Sequence, residues 1–172
     1  MLPSPTPRLR FRPMSAADLD AMAGLLGDPS VMEFYPAPKT RDEAAAWIAW
    51  NERNYADYGF GLWILETVDG LFVGDCGLTW QKVNGVPMLE VGYHVRSELQ
   101  GRGYASEAAA ACRDAARAAV LAGELASDVL VAIIHPLNVA SRRVAEKIGM
   151  VQWPDDTGGA LPVRTVMGMT LV

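Results

Sequence analysis

The stretch Leu99-Gln100-Gly101-Arg102-Gly103-Tyr104-Ala105-Ser106-Glu107 carries the most chemical information in the chain. Two glycines and an alanine stand where a strand-like run, Met88 to Val95, gives way to a long alanine-rich segment. Helix N-termini present unpaired N–H groups and a partial positive charge, so a helix opening here would cradle a phosphate or pyrophosphate. A larger side chain at Gly103 or Ala105 would stand between the backbone and that anion. The plain alternative is a glycine-rich strand-to-helix turn without a guest. A Rossmann reading of Gly101-x-Gly103 fails on context, because the preceding strand closes an antiparallel meander and starts no βαβ unit.

At 172 residues the chain fits one domain, 1–172, in which the proline-rich residues 1–7 read as a flexible tail. A net charge of −5 argues against broad binding to nucleic acid. Arg102, Arg142, Arg143 and Lys147 fall near the informative motifs, either as a local basic site or as solvated helix faces. Cys76 and Cys112 form no CxxC pair and have no histidine at ligand spacing, so they read as small buried thiols and no metal is expected. No segment reads as a signal peptide or bilayer span, and the expected location is cytoplasmic.

The elements around the motif follow from periodicity. Leu9 and Phe11 alternate with arginines, a short strand that Pro13 ends. Ser15 with Asp18, and Thr40 with Glu43, are capping boxes for helices ending near Leu26 and Tyr58. Phe60 to Thr67, Leu71 to Trp80 and Pro87 to Val95 alternate with period two, joined at Asp69-Gly70 and Asn84-Gly85: an antiparallel meander. A helix from Arg102 to about Leu121 follows. Val129 to Ile134 is a continuous apolar run, expected of a strand covered on both faces. Asn138 caps a helix to Ile148, a short strand near Met150 to Trp153 is an option, and Val163 to Val172 forms the last strand. Helices set between strands of a mixed sheet give an α/β (α+β) layered domain.

In this setting the chain resembles the GNAT (GCN5-related N-acetyltransferase) superfamily, and within it the branch of ribosomal-protein N-terminal acetyltransferases, RimJ/RimL-like. Gln100-Gly101-Arg102-Gly103-Tyr104-Ala105 matches the superfamily's acetyl-CoA loop, Q/R-x-x-G-x-G/A. Glu90-Val91-Gly92-Tyr93 resembles the strand before it, and Asn138 to Met150 looks like the branch's N-x-x-S…K-[IL]-G-[FM] helix. Arg8-Leu9-Arg10-Phe11-Arg12-Pro13 followed by Ser-x-x-Asp is similar too, so the likeness spans nearly the whole chain in order. It implies a mixed, mostly antiparallel central sheet flanked by helices on both faces, and acetyl-CoA as co-substrate.

The resemblance implies that Gln100, Gly101, Arg102, Gly103, Tyr104, Ala105 and Ser106 hold the pyrophosphate. Tyr93, His94, Val95, Asn138, Ser141 and Arg142 would complete the cofactor site, the pantetheine arm pairing with main chain near His94 and Val95. In the family the end of the Glu90 strand splays from its parallel neighbour to admit that arm. Gly92 inside the strand suggests a bulge or a close backbone approach, or else room for an aromatic neighbour. Glu90 is the candidate general base; strand alternation puts Glu90, Gly92 and His94 on one face, making His94 a competitor or a relay through water. A surface carboxylate and a half-buried histidine are the bland readings of those two residues. Glu33, in the loop that the resemblance places over the acceptor, is a third candidate.

Many superfamily members carry a tyrosine seven residues after the capping asparagine to protonate the leaving thiolate. Here that position is Ala145, and Ser141 resembles the serine given this role in the ribosomal-protein branch. Helix-start packing is Ser141's alternative role, and Asn138 is a cap with or without a cofactor contact. Cys112 reads as packing, and Trp47, Trp50 and Tyr55 as core. The expected activity is direct acetyl transfer to a primary amine, a peptide N-terminal α-amine or a small-molecule amine, in a ternary complex. The other reading is a non-catalytic or regulatory coenzyme A-binding module of the same fold. Neither nucleic acid nor membrane is an expected partner, and the chain is expected as monomer or homodimer.

Overall fold

A computed structural model describes residues 1–158 and 163–172. The chain builds β1 (Leu9–Arg12), α1 (Leu19–Leu26), α2 (Arg41–Tyr58), β2 (Leu62–Thr67), β3 (Phe72–Val83) and β4 (Val86–Val95). It continues with α3 (Tyr104–Leu121), β5 (Val129–Ile134), α4 (Val139–Lys147), β6 (Val151–Gln152) and β7 (Thr165–Thr170). The expected last strand, Val163 to Val172, is the shorter β7; residues 159–162 lie outside the described residues.

The seven strands form one sheet in the order β1-β2-β3-β4-β5-β7-β6. All neighbours are antiparallel except β4 and β5. One face packs α1 and α2 through Met22, Leu26, Ala44, Ile48, Leu62 and Ile64. The other packs α3 and α4 through Trp63, Leu65, Leu78, Val91, Ala109, Cys112, Ala116 and Ala145. The alanines on α3 let that helix lie close on the sheet, where Cys112 Sγ meets Cys76 Sγ of β3 at 3.6 Å.

Both capping boxes form. Asp18 Oδ2 accepts from Ser15 N at 2.9 Å, and Glu43 Oε2 accepts from Thr40 N at 2.7 Å. Asp18 also takes a guanidinium pair from Arg12, tying the helix start to the edge strand. Asn84 and Gly85 both adopt left-handed backbone (φ 48° and 82°), the geometry of a tight hairpin turn, and β3 runs on to that turn at Val83. Residues 1–7, expected to be a flexible tail, lie along α3: Pro3 is buried, and Thr6 Oγ1 donates to Glu107 Oε1 at 2.6 Å.

Gly77 and Gly74 mark the tightest approaches in the sheet; a Cβ on Gly77 would overlap the Gly61 carbonyl across the β2–β3 pair. Gly77→Ala should therefore cost about 3 kcal/mol by forcing backbone displacement, read as a lower midpoint in urea unfolding.

Candidate active site

The site begins where two strands part. β4 and β5 pair in parallel only at Leu89↔Leu130 and Glu90↔Val131. Beyond Glu90, β4 stays registered with β3 to Val95↔Gly74, while β5 stays registered with β7 to Ile134↔Thr165. The two strands diverge into a wedge, as expected for this strand. Gly92 makes no bulge; it pairs regularly with Gly77, and a Cβ on it would touch only Leu62 Cδ2 at 3.5 Å. Its effect is to leave bare backbone between Glu90 and His94.

At the open end of the wedge lies the anion cradle. Gly101 and Gly103 have φ of 74° and 84°, which a side chain would strain, and so the helix begins at Tyr104 rather than at the expected Arg102. Among the described residues no group accepts from the amides of Gly101 to Ser106; the first paired amide of the run is Glu107 N, to Gly103 O. Successive unpaired N–H groups at a helix mouth form a concave site for an anion. Gln100 Nε2 donates to Val95 O at 3.0 Å, fastening the cradle to the end of β4. Arg102 turns outward, Nη2 donating to Glu98 O at 3.1 Å.

Arg8, which no sequence signal placed here, braces the cradle from β1's side. Its Nη1 donates to Arg102 O at 2.9 Å, its Nε to Glu107 Oε2 at 2.6 Å, and its guanidinium covers the Tyr104 ring at 4.8 Å.

On the α2 face of the sheet stand the basic groups. Glu90 sits at the throat of the wedge, its Oε1 accepting from Ile133 N at 3.3 Å across the gap. Lining a cleft, it keeps some accessible surface, yet protein surrounds its carboxyl, and burial pushes it from about 4.5 up to about 7. The Ile133 amide and the distant Arg164 charge only partly oppose that shift. His94 is buried beside the fully buried Asp75, its Nδ1 2.7 Å from Asp75 Oδ1. Its Nε2 lies 2.8 Å from the Tyr35 hydroxyl. Trp47, Trp50 and Tyr55 pack in the α1–α2 layer as expected, and Trp47 also joins this cluster, its Nε1 donating to Asp75 Oδ2 at 3.2 Å.

On the opposite face, Tyr93 reaches α4. Its hydroxyl donates to Ser141 O at 3.0 Å and lies 2.8 Å from Ser141 Oγ. Burial raises the Tyr93 phenol, and the Ser141 hydrogen bond partly offsets the rise. Position 145 is an alanine in the core, but the chain still brings a phenol to Ser141, from β4 rather than from α4. Asn138 Oδ1 caps α4 by accepting from Ser141 N at 2.9 Å. Arg142 lies in the same first turn, half-buried.

Residues 8–151 match the sequence model of the Acetyltransferase (GNAT) domain. The chain belongs to the GNAT acetyltransferase family. It is 42% identical over 147 residues, 84% of this chain and 83% of the relative, to the uncharacterized protein YkkB of Bacillus subtilis (strain 168). An acetyltransferase from Agrobacterium tumefaciens str. C58 superposes with a TM-score of 0.82 at 25% identity, over 98% of this chain and 94% of that one. RimL, a ribosomal L7/L12 alpha-N-protein acetyltransferase in complex with coenzyme A, matches at a TM-score of 0.76 and 14% identity, over 99% of this chain and 98% of that one.

Set on this GNAT fold, the sequence-expected residues divide plainly. Gln100 to Ser106 form one cradle, Glu90 and His94 share a face, and Tyr93 and Ser141 meet on the other. Glu33 is exposed and makes no hydrogen bond or ion pair among the described residues. Asp75, Tyr35 and Arg8 were missed. Asp75 left a signal, a carboxylate inside the apolar run Phe72 to Leu78; Tyr35 sits in a proline-containing loop and left none.

A carboxyl raised by folding binds its proton more tightly in the native state, so its contribution falls as pH rises from about 4.5 through about 7. Glu90→Gln removes that penalty. Its unfolding midpoint should exceed the wild type's at pH 8, and the difference should vanish by pH 4.5 in urea titrations.

Proposed function

We propose that this chain transfers acetyl from acetyl-CoA to a primary amine in a ternary complex, with the α-amine of a peptide as the preferred class. The observation that carries the reading is the run of unpaired amides, Gly101 to Ser106, at the mouth of a wedge whose throat holds a carboxyl near pKa 7. The cradle suits a pyrophosphate and the wedge an extended arm. The edge of β4 that has lost its parallel neighbour beyond Glu90 can bond the arm through the amides of Tyr93 and Val95 and polarise the thioester carbonyl. Arg142 supplies positive charge beside the diphosphate, Arg102 contributes its backbone amide, and Asn138 reaches the arm beyond its capping bond.

Glu90 takes a proton from the attacking nitrogen, since a base near neutral pKa is ionised often enough to act and basic enough to accept. As the C–S bond breaks, Ser141 Oγ faces the departing sulfur, and Tyr93 behind it becomes the proton source when its O–H swings from Ser141 O to Ser141 Oγ. Acid and base thus work from opposite faces of the sheet, with the wedge between them. An α-amine, with a reference pKa near 8 against roughly 10.4 for lysine, suits this modest base. The fold shared with RimL, an alpha-N-protein acetyltransferase, supports the same class.

The test is calorimetric titration with acetyl-CoA followed by thiol release with three amines: an alanyl-peptide amide, an N-terminally blocked lysyl peptide and 2-phenylethylamine. The expected result is binding, with release greatest for the alanyl peptide. Binding without release for any amine makes the chain a coenzyme A-binding module, and no binding ends both readings. Gly103→Pro, which cannot hold φ at 84°, should abolish binding. Ser141→Ala should keep affinity and lower kcat by roughly a hundred-fold.

A further inference from the structure

Asp75, His94 and Tyr35 form a hydrogen-bonded chain that leads from the sheet interior to the loop over the wedge. Asp75 is fully buried and ringed by donors: Oδ1 accepts from His94 N at 3.1 Å and faces Nδ1, while Oδ2 takes Trp47 Nε1. A carboxylate so placed only accepts, so His94 carries its proton on Nδ1 and presents a lone pair at Nε2. Tyr35 Oη, 2.8 Å away, donates to that lone pair. The next residue back, Phe34, stacks on His135 beyond the end of β5, with ring centroids 5.2 Å apart. Consecutive aromatics therefore strap the loop across both lips of the wedge, where an amine must approach.

Proton bookkeeping gives this chain a task. An α-amine with a reference pKa near 8 arrives at pH 7 mostly as ammonium. Its nitrogen brings three protons and keeps one in the amide. Two must leave, and Glu90 holds one. We propose that the Tyr35–His94–Asp75 chain takes the other: the ammonium passes a proton to Tyr35 Oη as Tyr35 passes its own to His94 Nε2. The neutral amine then faces Glu90, and the imidazolium is held by Asp75 until it returns the proton to water through Tyr35, a residue 42% exposed as a whole. Tyr35 touches the substrate, whereas His94 and Asp75 act through it. The charged and titratable groups around the chain are Asp75 on β3, Glu90 and Tyr93 on β4, Lys39 over the Trp47 ring, and His135 behind Phe34.

The inference rests on the acetyl-transfer reading, and one experiment separates the two. kcat/KM for the fastest of the three panel amines is measured from pH 6 to 9.5 for wild type, Tyr35→Phe and Asp75→Asn. In the wild type the acid limb follows Glu90, near 7, whatever the amine's own pKa. In Tyr35→Phe only neutral amine reacts, so the limb moves up to the amine's pKa. The rate then falls about tenfold for each pH unit below it, and approaches wild type above it. Asp75→Asn should show the same displaced limb; if it does not fold, Tyr35→Phe, in a surface loop, decides alone. A Tyr35→Phe profile that superimposes on wild type, or is lowered equally at every pH as structural damage would do, overturns the relay. Failure of the wild type to acetylate any of the three amines overturns the transfer reading beneath it.

Discussion

The two-residue parallel seam between β4 and β5 is the constraint on which the rest of the site depends. β4 is held by β3 over ten registered pairs and β5 by β7 over six, against two pairs between β4 and β5 themselves. Each antiparallel ribbon twists with its own partner, so the short seam cannot follow both, and the strands part where it ends. Everything chemical is arranged about that parting. Glu90 stands at its apex with Ile133 N opposite, and the cradle lies beyond its open end. The backbone of β4 that lost its parallel neighbour is left with hydrogen-bonding capacity to offer.

The same parting explains why one strand serves two sides of the sheet. Alternation along β4 sends Glu90 and His94 toward α2 and Tyr93 toward α4. In a closed sheet these groups would be isolated by the backbone between them. Here the wedge joins the two faces, so Glu90 on one and the Tyr93–Ser141 pair on the other flank the same gap, as the proposed transfer requires. Gly92 keeps the intervening position bare, and Gly77 behind it keeps β2 and β3 close.

Much of the fold was legible because it is written in local signals: capping boxes at Ser15 and Thr40, the Asn84-Gly85 turn, and the unbroken apolar run of β5. Boundaries moved only where local chemistry was finer than periodicity, as when two positive-φ glycines delayed α3 to Tyr104. The cradle was legible for the same reason, since its amides are contiguous in sequence. The buried cluster around Asp75 was not. Asp75, His94, Tyr35 and Trp47 come from four separate elements and meet only when α2 packs on the sheet, so no spacing announces them. Tyr93's contact with Ser141 is likewise tertiary, a phenol arriving from a strand when the helix position holds alanine.

Arg8 has a consequence for how the molecule breathes. It ties β1, the sheet's edge strand, to Arg102 O and Glu107 at the mouth of α3, so edge and cradle share their hydrogen bonds. Fraying of the amino-terminal edge would loosen the loop, and any anion that settles on the loop would hold the edge shut. Ligand occupancy is thereby converted into mechanical stiffness some distance from the chemistry. The edge strand, the element most exposed to unwanted pairing with other chains, is then best protected when the enzyme is loaded.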